Sequence, residues 1–528
     1  MIVDAFAVAG GYPARPIKIG HASLGAAMAK NGVDRALTMS MRAIQVDAVA
    51  GNDHVMSLAS ADARILPVAV VDPRAVTRLD LTIERAVAGN AAAFAFHMTA
   101  IPCPVGSLLF SRGLERANSS GKPLIFVCNE RGQLTQIAEK TASLGCPRVL
   151  LAGVSYHHLG ELLVLLEEFD HLYVETSWQV SPGVVELLAA AGPNRLLYGS
   201  MAPLRPMRPA LNMAVDADIA PREKADILGR NALRFLDLEI DAEEPPPPLP
   251  EVAGLPSLPA IDLHCHIGTM PEQPSTCIGA DGMQREYERF NIEYGVVSAT
   301  SAYKDDLDAG NVEMLAAVER HSRLRGSVVA NPHHWDDSLR WLDLAAEHPD
   351  ILHVTVNPST TYEPFHSPLW LKLFAEIARR RLPVFYNTPS QDTFRRSPEA
   401  TTKGHILKVR AAPADELAMF RQLDREMPEL PIVIGHGFGL DGLELAAGSR
   451  NIHLELCTTY PEQNVYRSAL DAVGPERVVF GTDLDLISPA FVLGSLWEAE
   501  LSAAEERLVL RDNALRLLGQ MMGAGNHP

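Results

Sequence analysis

The sequence predicts an α/β protein built from two tandem (β/α)8 TIM-like barrels. Three observations carry this prediction. The chain repeats itself at long range, a proline cluster separates the two copies, and each copy alternates short apolar runs with amphipathic stretches.

The repeat is clearest near the end of each copy. "GRNALRFLDLE" closes the first and "LRDNALRLLGQ" the second, and the shared Asn-Ala-Leu-Arg run starts at Asn231 and Asn513, 513 − 231 = 282 apart. "NRLLYGSM" precedes "ERVVFGTD" by the same interval, and so does "HLYVETS" (171 to 177) precede "HLELCTT" (453 to 459). Earlier the interval is shorter: Asp4 matches Asp262, 262 − 4 = 258, and Pro123 matches Pro383, 383 − 123 = 260. The second copy therefore holds an insert between Asn387 and His436, and "SQDTFRRSPEATTKGHILKVRAAPADE" supplies it. "DAEEPPPPLPEVAGLPSLP" reads as a stiff, extended tether, which sets the expected domains at 1–240, a linker at 241–259 and 260–528.

In the second copy the apolar runs begin near Ile261, Gly295, Arg325, Ile351, Leu382, Pro431, Asn451 and Arg477. Continuous apolar runs suit strands covered on both faces. The first copy gives eight more, from "MIVDAFAV" to "RLLYGSM". An open, doubly wound sheet would show the same alternation. Eight units per copy, with no glycine-rich phosphate loop after the first strand, favour the barrel.

Composition narrows the function classes. The chain has 528 residues, is 47% hydrophobic and 21% charged, and carries a formal net charge of −19. That balance argues against nucleic acid or an anionic membrane as partner. Six cysteines without a CxxC pair suggest reduced thiols and a cytoplasmic protein. The N-terminal stretch lacks the pattern of a signal peptide, and no apolar run approaches the ~18 residues of a membrane span.

In such barrels functional side chains project from the C-terminal ends of strands. Those ends in the second copy carry His264 and His266 on strand 1, Asn387 on strand 5, His436 on strand 6 and Asp483 on strand 8. Histidines two apart on a strand share a face, and barrel closure sets strand 8 beside strand 1. "IDLHCH", "PVFYN", "IVIGHG" and "VVFGTD", in that order, resemble the amidohydrolase superfamily. The resemblance is to its amidohydrolase-2 branch, which includes aminocarboxymuconate-semialdehyde decarboxylase-like enzymes.

That resemblance implies a metal-dependent hydrolase fold. His264 and His266 would be metal ligands, Asp483 a ligand that also accepts a proton from water, and His436 a group that polarises substrate or shuttles a proton. The implied cofactor is a divalent metal ion, zinc first, with manganese or iron as alternatives. The sequence departs from the pattern in two places. Asn387 stands where the family has a metal-binding histidine, and "TVNP" (Thr355 to Pro358) stands where "KLHP" is common, which argues against a bridged two-metal site. Three readings stay open: a weakly held ion on His264, His266 and Asp483 with Asn387 as a poorer ligand; a shell completed by His436; or a pocket that has lost its ion. His333, His334 and His405 are spare histidines.

The first copy has Phe6 and Val8 at the paired-histidine positions, Val127 on strand 5, Gly153 on strand 6 and Met201 on strand 8. It reads as a non-catalytic barrel kept for packing, dimerisation or covering the other pocket, with His97, His157 and His158 as surface or loop histidines. Asp485 is expected to support a ligand from behind or to cap a helix rather than to bind the ion, and Cys265 to lie in the core. Trp335, Tyr386 and Tyr362 are aromatic residues near strand ends, read as packing or as pocket lining. Arg395 and Arg396 in the insert are solvated charge or contacts for an anionic substrate. The insert itself is expected to act as a lid, so that deleting residues 392–409 changes turnover and spares thermal stability.

The leading function is hydrolysis of a C–N or C–O bond in a small molecule, with decarboxylation of a small carboxylic acid, a lyase reaction, open to the same site. The rival is a pseudoenzyme that binds or scaffolds. The expected partner is a small-molecule substrate, with no nucleic acid and no membrane, and the sequence leaves room for a homo-oligomer.

Overall fold

The computed structural model describes residues 1–13, 20–238, 248–270, 276–361, 363–387, 414–437 and 439–521. Tyr362, Arg395, Arg396, His405 and the segment 392–409 lie outside the described residues. The chain forms two compact units, one built mainly on Met1–Ala253 and the other on the chain from Gly254.

The first unit contains β1 (Val3–Ala9), β2 (Arg35–Ser40), β3 (Ile65–Val70), β4 (Ala93–His97), β5 (Leu124–Val127), β6 (Val149–Ala152), β7 (Leu172–Glu175) and β8 (Leu196–Leu197). The strands pair in sequence order, every pair parallel. Ala5 N donates to Tyr198 O at 2.8 Å and Val8 N to Ala202 O at 2.9 Å, which closes the barrel between β1 and the end of β8. The second unit repeats the plan with β9 (Ala260–Ile267), β10 (Ile292–Ala299), β11 (Leu324–Val329), β12 (Ile351–Val356), β13 (Val384–Tyr386), β14 (Ile432–Ile434), β15 (Ile452–Glu455) and β16 (Val478–Val479). Leu263 N donates to Phe480 O at 3.0 Å and Asp483 N to His264 O at 2.7 Å across its seam. Both units are therefore (β/α)8 barrels, as the alternating apolar runs predict. Their strands are nearly all buried, which is why they read as unbroken apolar runs.

The same polar ties recur in both units. Asp4 accepts from Phe6 N (2.9 Å) and Ser200 N (3.0 Å), and Asp262 accepts from His264 N (3.0 Å) and Thr482 N (3.0 Å). Asn52 exchanges two hydrogen bonds with Val70, and Asn311 does the same with Val329. Asn231 donates to Leu196 O at 2.7 Å and Asn513 to Val478 O at 2.8 Å. Each chain-closing helix follows a single π-turn, Asp226–Arg230 and Leu508–Asp512. Buried backbone groups must be paired, so these side chains fix which loops meet which strands.

The sequence misplaces one strand. Glu175 stands opposite Leu197 and Glu455 opposite Val479, so β7 and β15 correspond at 455 − 175 = 280, not 282. Register follows the buried glutamates rather than His171 and His453. The described part of the proline-rich stretch is held by hydrogen bonds. Asn212 exchanges hydrogen bonds with the backbone of Ala253, and Arg208 donates to Glu251 O. No helix among the described residues is long and apolar enough to cross a membrane.

Candidate metal centre

β9 carries His264 and His266 on one face, with their Nε2 atoms 3.2 Å apart. Closure against β16 brings in Asp483, whose Oδ1 lies 3.6 Å from His264 Nε2 and 3.4 Å from His266 Nε2. His436, after β14, sets its Nε2 4.0 Å from Asp483 Oδ2. Asn387, after β13, places its amide nitrogen 3.4 Å from His266 Nε2. The structure thus brings all five residues together. A half-turn of the Asn387 amide exchanges Nδ2 for Oδ1 and offers an oxygen at the same place.

Two backbone bends aim these groups. His436 has φ +60° and Asp483 φ +59°. Histidine and aspartate are among the few residues that enter the left-handed region readily. The matching positions of the first unit, Gly153 (φ +67°) and Met201 (φ +60°), keep the bends without the ligands.

Hydrogen bonds fix how the imidazoles face. His264 Nδ1 lies 2.9 Å from Glu455 Oε2. Glu455 also accepts from the backbone N–H of His436 and of Cys457, so its oxygens act as acceptors and His264 Nδ1 carries the proton. His266 Nδ1 lies 2.9 Å from Ser298 Oγ, and His436 Nδ1–H donates to Cys457 O at 2.9 Å. The Nε2 lone pair of His264 then faces His266 Nε2 and Asp483 Oδ1. Bonds of about 2.0–2.1 Å to one ion require ligand atoms about 2.9–3.4 Å apart, close to the separations here. The residues present therefore fit a divalent cation.

Electrostatics agree. Burial pushes His264 down to about 3, with His353 adding to the effect. Burial holds His266 well below its ordinary range, helped by His264, His436 and Lys304. Both rings are neutral at pH 7, the form that ligates.

A second cluster, His264, His436, Glu455 and Cys457, also has cation-ligand chemistry. It is a hydrogen-bond network. Glu455 takes N–H and S–H donors on both oxygens, and Glu175 does the same in the first unit, accepting from Gly153 N, Ser177 N and Ser177 Oγ where no imidazole stands.

Other sequence candidates sort plainly. Asp485 accepts from Ile278 N (2.8 Å) and Gly279 N (3.2 Å) at the start of the helix Gly279–Arg289. Cys265 is buried and turned toward Val296 O. Tyr386 packs on Phe365 and Phe420 and donates to Glu416, which makes it core; Trp335 is half-buried at a helix start. His333 and His334 are exposed, and His333 pairs with Glu363. His97 and His158 are corrections: both are buried, His97 at the end of β4 and His158 beside Glu161, and burial pushes His97 down to about 4. Phe6, Val8, Val127 and Met201 join one apolar cluster that fills the first barrel where the second has ligands. Sequence reading missed Glu455, Ser298 and Cys457. Glu455 was within reach, since a two-residue slip of the strand-7 alignment pairs it with Glu175.

Comparisons with known proteins follow the same division. A family model described as amidohydrolase matches residues 3–238 and again 261–520. No curated protein matches the chain. The solved structures that match cover about half of this chain. The 5-carboxyvanillate decarboxylase of Sphingomonas paucimobilis is 16% identical, with 50% of this chain and 99% of that one covered and a TM-score of 0.37. A probable 2-pyrone-4,6-dicarboxylic acid hydrolase of Acinetobacter baumannii is 16% identical, covering 49% and 99%, at 0.37. A manganese-bound dihydroxybenzoic acid decarboxylase of Polaromonas is 15% identical, covering 49% and 97%, at 0.40. With the family model spanning both barrels, the chain belongs to the amidohydrolase family as two tandem copies, of which the second carries the ligand-type side chains at its strand ends.

Proposed function

We propose that the second barrel is a metal-dependent enzyme acting on a small molecule, hydrolysing a C–N or C–O bond, with decarboxylation of a small carboxylic acid open to the same groups. One observation carries the reading: His264 Nε2, His266 Nε2 and Asp483 Oδ1 converge at 3.2–3.6 Å among buried side chains. Without a cation, that much lone-pair density facing itself in low dielectric is unfavourable. His264, His266 and Asp483 would hold the ion, and Asn387 would supply a weaker fourth contact. A divalent ion bound there lowers the pKa of bound water to about 7 and polarises substrate oxygens.

The remaining chemistry belongs to this chain. Asp483 takes the proton of the attacking water. His436 has its Nδ1–H committed to Cys457 O, so its Nε2, 4.0 Å from Asp483, is the atom that relays a proton to the leaving group. Asn387 suits harder ions than imidazole does, which favours manganese or iron more than an all-histidine shell would. The first barrel serves as an apolar-filled companion.

The test is elemental analysis followed by turnover. Purified protein should carry one divalent ion per chain, lost in His264→Ala. His436→Asn should keep the ion while kcat on a responsive substrate falls about 10²–10⁴-fold. Release of labelled carbon dioxide or incorporation of labelled water oxygen separates the two reactions. Metal-free protein whose melting is indifferent to chelator would support the binding or scaffold reading instead.

A further inference from the structure

We propose that Glu455 is a positioning residue for the metal-binding edge of His264: it accepts the hydrogen bond of the Nδ1–H and thereby presents a bare Nε2 to the cation. The inference rests on the metal-centre reading above.

Glu455 is fully buried and ends β15, two strands round the barrel from β9. Its Oε2 lies 2.9 Å from His264 Nδ1 and also accepts from His436 N at 3.2 Å, while Oε1 accepts from Cys457 N. Neutral imidazole carries its proton on one nitrogen only. A proton held on Nδ1 leaves Nε2 with its lone pair toward His266 and Asp483. The other tautomer would aim N–H at the ion. Carboxylate–histidine pairs of this kind orient metal ligands and raise their basicity.

The first barrel separates this role from a structural one. Glu175 holds the same strand end through Gly153 N, Ser177 N and Ser177 Oγ, but Phe6 stands where His264 would be. What Glu175 and Glu455 share is the tie between loops. What Glu455 adds is the imidazole. Glutamine cannot replace either cleanly, because each carboxylate oxygen already faces an N–H donor and an amide turns one N–H against another.

Glu455→Gln and Glu175→Gln in the full chain make a matched pair. Both should melt lower than wild type. Calorimetric titration with manganese or zinc should show a dissociation constant raised about 10–100-fold in Glu455→Gln and unchanged in Glu175→Gln. In metal-free protein, the imidazole 15N shifts assigned to His264 should report the Nδ1–H tautomer in wild type and lose it in Glu455→Gln. Should Glu455→Gln fail to fold, Glu455→Asp keeps the charge but draws it back from His264, and should show the same loss of affinity. Wild-type affinity and tautomer in a folded position-455 variant would overturn the proposal alone. A wild type that binds neither ion would overturn the metal reading and this proposal with it.

Discussion

Gly481 precedes the strand-8 loop that carries Asp483, and a methyl group there tests how tightly the candidate site is built. An ideal Cβ at Gly481 would lie 2.7 Å from His264 Cβ, 2.7 Å from Glu455 Cγ and 3.0 Å from Glu455 Cδ. Ordinary carbon contacts begin near ~3.5 Å, so two overlaps of about 0.8 Å must be relieved. His264 Cβ is fixed to the backbone of β9 and cannot retreat by a rotamer change. Overpacking of this kind costs about 1–3 kcal/mol. For a barrel of roughly 270 residues, at about 2.1 cal/mol/K each, unfolding entropy is near 0.6 kcal/mol/K, which converts to a melting point about 2–5 °C lower. Because the pushed residue, His264, is a proposed ligand, metal affinity should fall at least about tenfold as well. Gly199→Ala is the control. Its Cβ would meet Glu175 Oε2 at 2.2 Å, a comparable clash beside no ligand, so stability should fall and metal affinity should not. Scanning calorimetry with metal titration reads both. If Gly481→Ala melts within about 1 °C of wild type and binds metal equally well, the close approach of β9, β15 and the strand-8 loop is wrong.

Three further outcomes are expected. A divalent ion at 100 times its dissociation constant should stabilise the second barrel by about 2.7 kcal/mol, and His264→Ala should abolish the gain; a melting curve blind to both ion and chelator counts against the site. Metal-free protein should be acid-labile: burial keeps His264 (about 3) and His353 (about 4) neutral in the fold, so their stability is complete above about pH 6.5 and lost as pH falls, near 2 kcal/mol each by pH 5. Asp262, pushed up to about 7 by burial, works oppositely and returns part of that loss, so the expected sign is a lower melting temperature at pH 5 than at pH 7, and a rise on acidification would contradict it. Asn387→His should tighten metal binding about tenfold or more by replacing an amide with imidazole, and unchanged calorimetric affinity would mean position 387 does not face the ion.

Most of the fold was legible because barrel strands announce themselves. Ile351 and Pro431 begin or immediately precede strands whose burial on both faces leaves no polar interruption. That five candidate residues gather at one end was legible for a related reason, since strand ends face one mouth and the seam joins first to last. Glu455 was not, because "HLELCTT" offers a histidine that matches His171, and what sets the register is a carboxylate tied to the backbone N–H of His436 on the neighbouring loop and of Cys457 on its own. Long-range hydrogen bonds leave no periodic trace in a sequence. His97 escaped similarly: a histidine after "AFAF" reads as a strand terminus emerging into solvent, yet its ring turns inward and pairs with Thr99 and Ala100.

Met201 holds a left-handed bend that gives a methionine no advantage and costs it on the order of 1 kcal/mol. The seam of the barrel imposes that curve through Met201 N and Phe6 O, just as Asp483 N and His264 O impose it on the other side of the duplication. Whatever occupies such a corner is delivered to the mouth, so reactivity here is decided by the cargo and not by the crane. Installing histidines at positions 6 and 8 and an aspartate at 201 would ask the first barrel for no new backbone at all.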